Sequence, residues 1–294
     1  MELTDKIVLI TGASSGIGAA TARAMAARGA AVALLARTAS ALGAVAADVR
    51  ARGGRARAFP GDLTDPATVQ AVARDVALEL GTPDVIVNSA GAGRWLFTEE
   101  TEPAEAVQMM GAPYFAAFFV TRAFLPAMLA RGSGHIVNVN SPIARLIWPG
   151  AAGYAAARYA LQGFTDALRV DLAGTGLRVT SVVTGKVDTP YFTHNPGTLE
   201  RAPWLAKRLI PTLTAEQVAA ALVRAVEYNR REVVLPFMLR VFFALRAVLP
   251  GFTEWLAVRT GWQHTRRPHE PSPPPRLDAA QRAPGPEQHG SRPV

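Results

Sequence analysis

Eight residues near the start of the chain, Thr11-Gly12-Ala13-Ser14-Ser15-Gly16-Ile17-Gly18, restrict what it can fold into more than any other stretch. They follow the apolar run Ile7-Val8-Leu9-Ile10, which reads as a buried parallel strand. They lead into residues 19–28, which are rich in strong helix formers. Strand, glycine-rich turn and helix together bring the phosphates of a nucleotide to a helix N-terminus, where free N–H groups and the helix dipole favour negative charge. Gly12 suits the tight turn, Gly16 lets the backbone approach a pyrophosphate, and Gly18 lets helix and strand pack closely. Ser14, Ser15 and Ile17 complete the turn and are candidate cofactor contacts with the three glycines.

The same turn contains Gly12-Ala13-Ser14-Ser15-Gly16, a G-x-S-x-G pattern like the strand-to-helix elbow that carries the nucleophile of serine hydrolases. Such an enzyme needs an acid and then a His downstream. The five His are His135, His194, His264, His269 and His289, and three of them lie in or at the edge of a proline-rich tail. An elbow on the first strand would also sit unusually early, so a serine hydrolase is the minor alternative.

Strand-like and helix-like segments alternate as far as Pro236. Strands are expected at 31–36, 55–59, 84–88, 135–140, 177–183 and 232–235. Helices are expected through about Arg52, after the acidic cap and proline of Asp62-Leu63-Thr64-Asp65-Pro66, over about 103–131 and 153–173, and from near Ala215. Residues 1–236 are therefore expected to form one α/β domain, a Rossmann-like doubly wound parallel sheet of about seven strands with helices on both faces. Residues 237–264 read as an apolar helical extension. Its run from Phe237 to Leu249 holds about 13 residues with two Arg, short of the ~20 apolar residues a membrane span needs. A helix packed on the domain or a partner is expected, with peripheral membrane contact through 237–262 as the second reading. Residues 265–294, rich in Pro, Arg and polar residues, are expected to be disordered.

The chain has no Cys, which excludes disulfides and thiolate metal sites, and its N-terminus runs straight into the first strand. Both suit a cytoplasmic protein, with a membrane-peripheral location as the alternative. Net charge is +8, and all but Lys6, Lys186 and Lys207 of the 31 basic residues are Arg. They are scattered rather than interleaved with aromatics, so a nucleic-acid partner is not expected.

Arg37 stands 19 residues after Gly18, past the second strand, where an acidic residue would bind the ribose hydroxyls of NAD. Its guanidinium suits a 2′-phosphate, so NADP(H) is the expected cofactor and NAD(H) the second candidate. Tyr154 and Arg158, four apart on the second long helix, share one face. A cation beside a Tyr favours the phenolate that a general acid/base must reach. Ser141 ends the fifth strand, at the carboxyl edge where doubly wound sheets bind ligands, and its hydroxyl can polarise a carbonyl.

Taken together, residues 3–236 resemble the short-chain dehydrogenase/reductase family. Thr11 to Gly18 is similar to the family's T-G-x-x-x-G-x-G cofactor motif, and Asn88-Ser89-Ala90-Gly91 to its N-N-A-G motif. Ser141 precedes Tyr154 by 13 residues, as in the family's catalytic pair. Asp62 and Leu63 match the pair that contacts adenine, and Thr184-Gly185-Lys186-Val187-Asp188-Thr189 resembles the P-G-x-x-x-T segment whose Thr holds the nicotinamide carboxamide. The resemblance implies hydride transfer between nicotinamide and a carbonyl or alcohol carbon, with Tyr154 moving the proton and Ser141 orienting the oxygen. It places Asn88, Ala90, Gly91, Val187 and Thr189 at the cofactor, and implies a small-molecule carbonyl or alcohol substrate and a homodimer or homotetramer. The segment from Thr189 to Thr214 would be the substrate lid, and its Tyr191, Phe192, Pro203, Trp204 and Leu205 favour an apolar substrate. Arg158 stands where the family has its active-site Lys, and it cannot readily release a proton. Pro113 stands where a catalytic Asn is expected, and it would kink its helix. Thr184 replaces the Pro of P-G. A catalytically weakened nucleotide-binding protein, acting through a partner or a membrane surface, is therefore the alternative function.

Overall fold

The computed structural model describes residues 1–263, so the tail expected to be disordered at 265–294 lies outside the described residues. The chain opens with β1 (Ile7–Thr11), α1 (Gly16–Ala26), β2 (Ala31–Ala36), α2 (Ala39–Ala51), β3 (Arg55–Pro60), α3 (Pro66–Glu79) and β4 (Val85–Asn88). The helix start read at Asp65-Pro66 is real. The Asp65 carboxylate accepts from the N–H groups of Ala67 at 3.3 Å and Thr68 at 2.9 Å, ahead of Pro66 in the first turn.

Next come α4 (Pro103–Met110) and α5 (Ala116–Arg131), expected from sequence as one helix. They are joined by a wide turn, Gly111–Phe115, in which the N–H of Ala116 reaches back five residues to the carbonyl of Gly111. Pro113 has no N–H to offer the regular ladder, and the wider turn accommodates the missing bond. By length and hydropathy this rod could cross a membrane. Its Ala116, Val120, Phe124 and Met128 instead pack on the sheet with residues of α3 and β5, so it serves here as a core helix.

The second half holds β5 (Gly134–Asn140), α6 (Ala152–Asp171), β6 (Leu177–Thr184), β7 (Val187–Asp188), α7 (Tyr191–His194), α8 (Trp204–Leu209), β8 (Leu213–Thr214), α9 (Ala215–Glu227) and β9 (Glu232–Leu235). Seven strands form one parallel sheet in the order β3-β2-β1-β4-β5-β6-β9. One face is covered by α1, α2 and α9 and the other by α3, α5 and α6. This is the doubly wound, Rossmann-like sheet expected from the alternation. The strand order reverses between β1 and β4, which opens a crevice at their carboxyl ends.

Two features were not legible in the residue pattern. β7 and β8 pair as a separate two-stranded parallel ribbon that brings both ends of residues 189–212 together. The apolar extension forms two helices, α10 (Met238–Val248) and α11 (Pro250–Thr260), because Pro250 cannot continue the first and instead opens the second.

Candidate active site

The glycine turn sits at the strand-order reversal. Gly12 (φ +67°) and Gly16 (φ +51°) are left-handed, a conformation that disfavours other residues. A Cβ on Gly12 would lie 2.8 Å from Cα of Ala90, and one on Gly16 would lie 3.1 Å from the Thr189 side chain. A Cβ on Gly18 would lie 2.2 Å from the carbonyl oxygen of Gly12. The Thr11 hydroxyl oxygen accepts from the N–H groups of Ser89 and Ala90, both at 3.1 Å, which fixes the end of β1 to the loop after β4. Ser15 is the N-cap of α1, yet its side chain caps nothing, and the first turn holds no acid. The N–H groups there remain donors for an anion. Three motifs far apart in sequence thus surround one crevice, with space where only glycines fit, and these residues fit a dinucleotide.

Arg37 follows β2, is exposed, and pairs with no carboxylate among the described residues. Asp62 is exposed too. One of its oxygens accepts from the N–H of Thr64 at 2.9 Å and from its hydroxyl at 2.8 Å, which leaves the other to solvent or a ligand. Leu63 points inward, packed in the core with Phe59 and Val69, so only its backbone can meet a nucleotide.

Asn88 is committed to the fold. Its amide donates to Oδ1 of Asn138 at 2.8 Å and to the Thr121 hydroxyl at 3.3 Å. Asn138 in turn donates to the Thr165 hydroxyl at 2.8 Å. This buried chain links β4, α5, β5 and α6 beneath the crevice, while Oδ1 of Asn88 stays buried without a partner. Thr121, Asn138 and Thr165 went unnoticed in the sequence. The alternation of Asn138 and Asn140 with apolar residues on β5 was the available signal.

Tyr154 and Arg158 share one face of α6, as their spacing requires, with the guanidinium carbon 5.1 Å from the ring centroid. Both are buried, Tyr154 at 5 % exposure and Arg158 at 7 %. Arg158 donates through Nη1 to the carbonyl of Val139 at 3.2 Å, while its Nε is a buried donor with no partner. A Cβ on Gly91 would come within 2.5 Å of its Nη2, so Gly91 makes room for the guanidinium. Ser141 ends β5 and caps the turn Pro142–Ala144, its hydroxyl oxygen accepting weakly from the N–H of Ile143 at 3.4 Å. No hydrogen bond joins Ser141 to Tyr154.

Over Tyr154 stands an aromatic wall that sequence reading reached only in part. Trp95 lies 6.1 Å from the Tyr154 ring and 4.9 Å from Trp148. Tyr191, at the root of the expected lid, lies 6.3 Å from Tyr154 and donates its hydroxyl to the Gly93 carbonyl at 2.6 Å. Burial, with Tyr154 adding and Arg158 opposing, raises the Tyr191 phenol well above its ordinary range, so it stays a donor. Gly93 (φ +128°) adopts a conformation that side-chain-bearing residues rarely take, and a Cβ there would crowd the Tyr154 ring at 3.1 Å. Val187 is buried in β7, and Pro113 is buried in the wide turn. His135, at the amino-terminal end of β5, bonds Thr180 at 2.7 Å and does not reach the edge where Ser14 lies. Among the described residues there is no His, Asp or Glu cluster able to hold a metal.

A family profile described as short chain dehydrogenase matches residues 6–198. The chain belongs to the short-chain dehydrogenase family. It is an oxidoreductase that acts on alcohol or ketone groups with a nicotinamide nucleotide. It is 37% identical over 195 residues to 1-deoxy-11-beta-hydroxypentalenate dehydrogenase of Streptomyces exfoliatus, covering 65% of this chain and 70% of that protein. Among solved structures, a short-chain dehydrogenase/reductase of Burkholderia phymatum in complex with NAD superposes with a TM-score of 0.77 at 26% identity. The match covers 86% of this chain and 97% of that one. Actinorhodin polyketide ketoreductase with NADPH gives a TM-score of 0.71 at 28% identity, covering 79% and 95%.

Proposed function

We propose that this oxidoreductase prefers NADP(H) and interconverts a carbonyl and an alcohol on an apolar substrate, with Tyr154 as the proton donor and acceptor. The observation that carries the reading is Tyr154 packed against the Arg158 guanidinium, under an apolar wall and beside the glycine crevice. When bound, the nicotinamide ring supplies or accepts the hydride. Tyr154 gives its phenolic proton to the carbonyl oxygen in reduction and takes the hydroxyl proton in oxidation. The Ser141 hydroxyl, held only weakly by Ile143, turns to the same oxygen and orients it. Arg158 keeps a positive charge beside the phenol and presents its unpartnered Nε to a ribose hydroxyl. Trp95, Trp148 and Tyr191 exclude water from the reacting carbon and select apolar substrates. Thr189, against Gly16, and the loop of Ala90 and Gly91 flank the nicotinamide end. Arg37, which meets no carboxylate among the described residues, receives the 2′-phosphate. Tyr114 of the wide turn, exposed Phe118 of α5 and half-buried Phe164 of α6 are in mutual ring contact, which supports a homo-oligomer formed through these helices.

The test is NADPH oxidation across aldehydes, ketones and quinones. Turnover on an apolar carbonyl should fall ~100-fold or more in Tyr154→Phe, the range for loss of a general acid. Turnover unchanged by that substitution would overturn the role of Tyr154. Arg37→Asp should weaken NADPH binding and spare NADH, and equal effects on both would refute the cofactor preference. A second reading, a nucleotide-binding protein with weakened turnover, draws on the bond that commits part of Arg158 to Val139. It predicts that Arg158→Lys creates turnover where the parent has none.

A further inference from the structure

Helices α10 and α11 are held to the domain by one side and display apolar groups on the other. Leu239 is buried with Val183 and Val234 at the carboxyl ends of β6 and β9, and Phe243 packs beside it. Phe237, Val241 and Val248 recur along the opposite side and are exposed, Phe237 at 70 %. On α11, Phe252 and Trp255 stack with ring centroids 5.9 Å apart, and Trp255 is 58 % exposed. A surface helix of a globular domain ordinarily turns polar residues outward. Here the charged residues on the pair are chiefly basic. Arg240, Arg246 and Arg259 meet no carboxylate among the described residues, and Glu254 is the one acid in 237–262. Arg246 and Arg145 also edge a groove lined by Tyr159, Phe243 and Ala247 at the foot of α10.

Charge and composition choose the occupant. The following 264–294 segment has Leu277 and Val294 as its sole large aliphatic residues, too little apolar surface to cover this face. It carries five Arg against three acids, so it adds positive charge at the same end of the chain. A second copy would bring Arg240, Arg246 and Arg259 against themselves. Aromatic and aliphatic side chains beside unpaired Arg instead match the boundary between headgroups and acyl chains in an anionic bilayer. Each helix has 11 residues, about 16 Å of rise, against a hydrocarbon core of about 30 Å, so the pair lies on the surface rather than crossing it. We propose that the α10–α11 pair seats this protein on membranes rich in anionic phospholipid. The proposed lid ends beside this pair, since Ile210 joins the cluster around Leu239.

The full chain is floated with vesicles of phosphatidylcholine alone and of phosphatidylcholine mixed with phosphatidylglycerol. Binding to the mixed vesicles alone, weakened by salt, is expected. The variant Arg240→Gln/Arg246→Gln/Arg259→Gln should lose roughly a hundredfold in partitioning, from the usual contribution of each Arg at an anionic surface. Phe252→Ser/Trp255→Ser should abolish flotation with its circular dichroism unchanged. Flotation with neither vesicle, or equally with both, overturns the proposal. So does light scattering in which Phe252→Ser/Trp255→Ser converts an oligomer to a smaller species, which would make the face a contact between copies.

Discussion

Gly18→Ala isolates what the close approach of α1 to the glycine turn does for cofactor binding. The added Cβ would stand 2.2 Å from the carbonyl oxygen of Gly12 and 2.7 Å from its carbon. A carbon and a carbonyl oxygen need about 3.3 Å, so the start of α1 must retreat by about 1 Å. Both obstructing atoms are backbone, so no side chain can swing aside. An N–H that met a phosphate oxygen at about 2.9 Å would then stand near 3.9 Å, beyond hydrogen-bond reach. Hydrogen bonds to a charged group are worth about 1.5–3 kcal/mol, and losing two of them weakens binding by roughly 10²- to 10⁴-fold. Overpacking should also cost about 1–3 kcal/mol of stability, read as a lower urea midpoint. The control is Gly43→Ala on α2, where a Cβ meets nothing within 4 Å. It should leave NADPH binding unchanged and stabilise the fold by up to about 1 kcal/mol. Both variants are titrated with NADPH by fluorescence after circular dichroism confirms that they fold. Gly18→Ala binding within about threefold of the parent would refute the argument, because the close approach would then not position the N–H groups.

The stability of the domain should fall in mild acid because of His135, whose imidazole is pushed down to about 4 by burial, with the N-terminal amine and Arg178 adding. The unfolded chain, near 6.5, takes up the proton first, so this contribution is complete above about pH 6.5 and is lost as pH falls toward 4. The linkage amounts to about 2 kcal/mol by pH 5, and His135→Gln should flatten that part of the urea-midpoint profile. Identical losses in parent and variant between pH 7 and 5 would place the acid sensitivity elsewhere. Tyr191→Phe removes the hydroxyl that holds the Gly93 carbonyl, a loss of about 1 kcal/mol that should raise KM about fivefold with a smaller change in kcat. An unchanged KM would mean that the Tyr191 hydroxyl does not support the pocket.

The parts of the fold that were legible in the residues depend on neighbours close in sequence. The apolar runs of β1, β2 and β6, the cap at Asp65 and the glycines of the first turn all declare themselves locally, and their ends lie within a residue or two of the expected positions. Pro113 announced a disturbed helix, but a proline alone does not say whether its helix kinks, breaks or widens, and here the turn widens. The ribbon of β7 and β8 was invisible because two residues per strand carry no periodicity. In the site, Arg158 and Tyr154 were readable from a four-residue interval. The commitment of Asn88 to Asn138 and Thr121, and the inward side chain of Leu63, depend on partners brought together only by the sheet. The same holds for Trp95 against Trp148. Their distance in sequence leaves no short pattern, although together they shape the space above Tyr154.

The ribbon of β7 and β8 has an evolutionary consequence. It closes residues 189–212 at the root, so the segment between behaves as an insertion whose ends the scaffold already holds at a fixed separation. Closing a longer loop between fixed ends costs little, about 0.6 kcal/mol for each doubling of length. On the proposed reading of this segment as the substrate lid, drift in the length or sequence of residues 190–212 can therefore explore new substrates while Ser141 and Tyr154, which lie on other elements, keep their places. Diversification of selectivity is thereby uncoupled from the risk of losing the fold, and duplicated copies of such a chain can part in substrate long before they part in architecture.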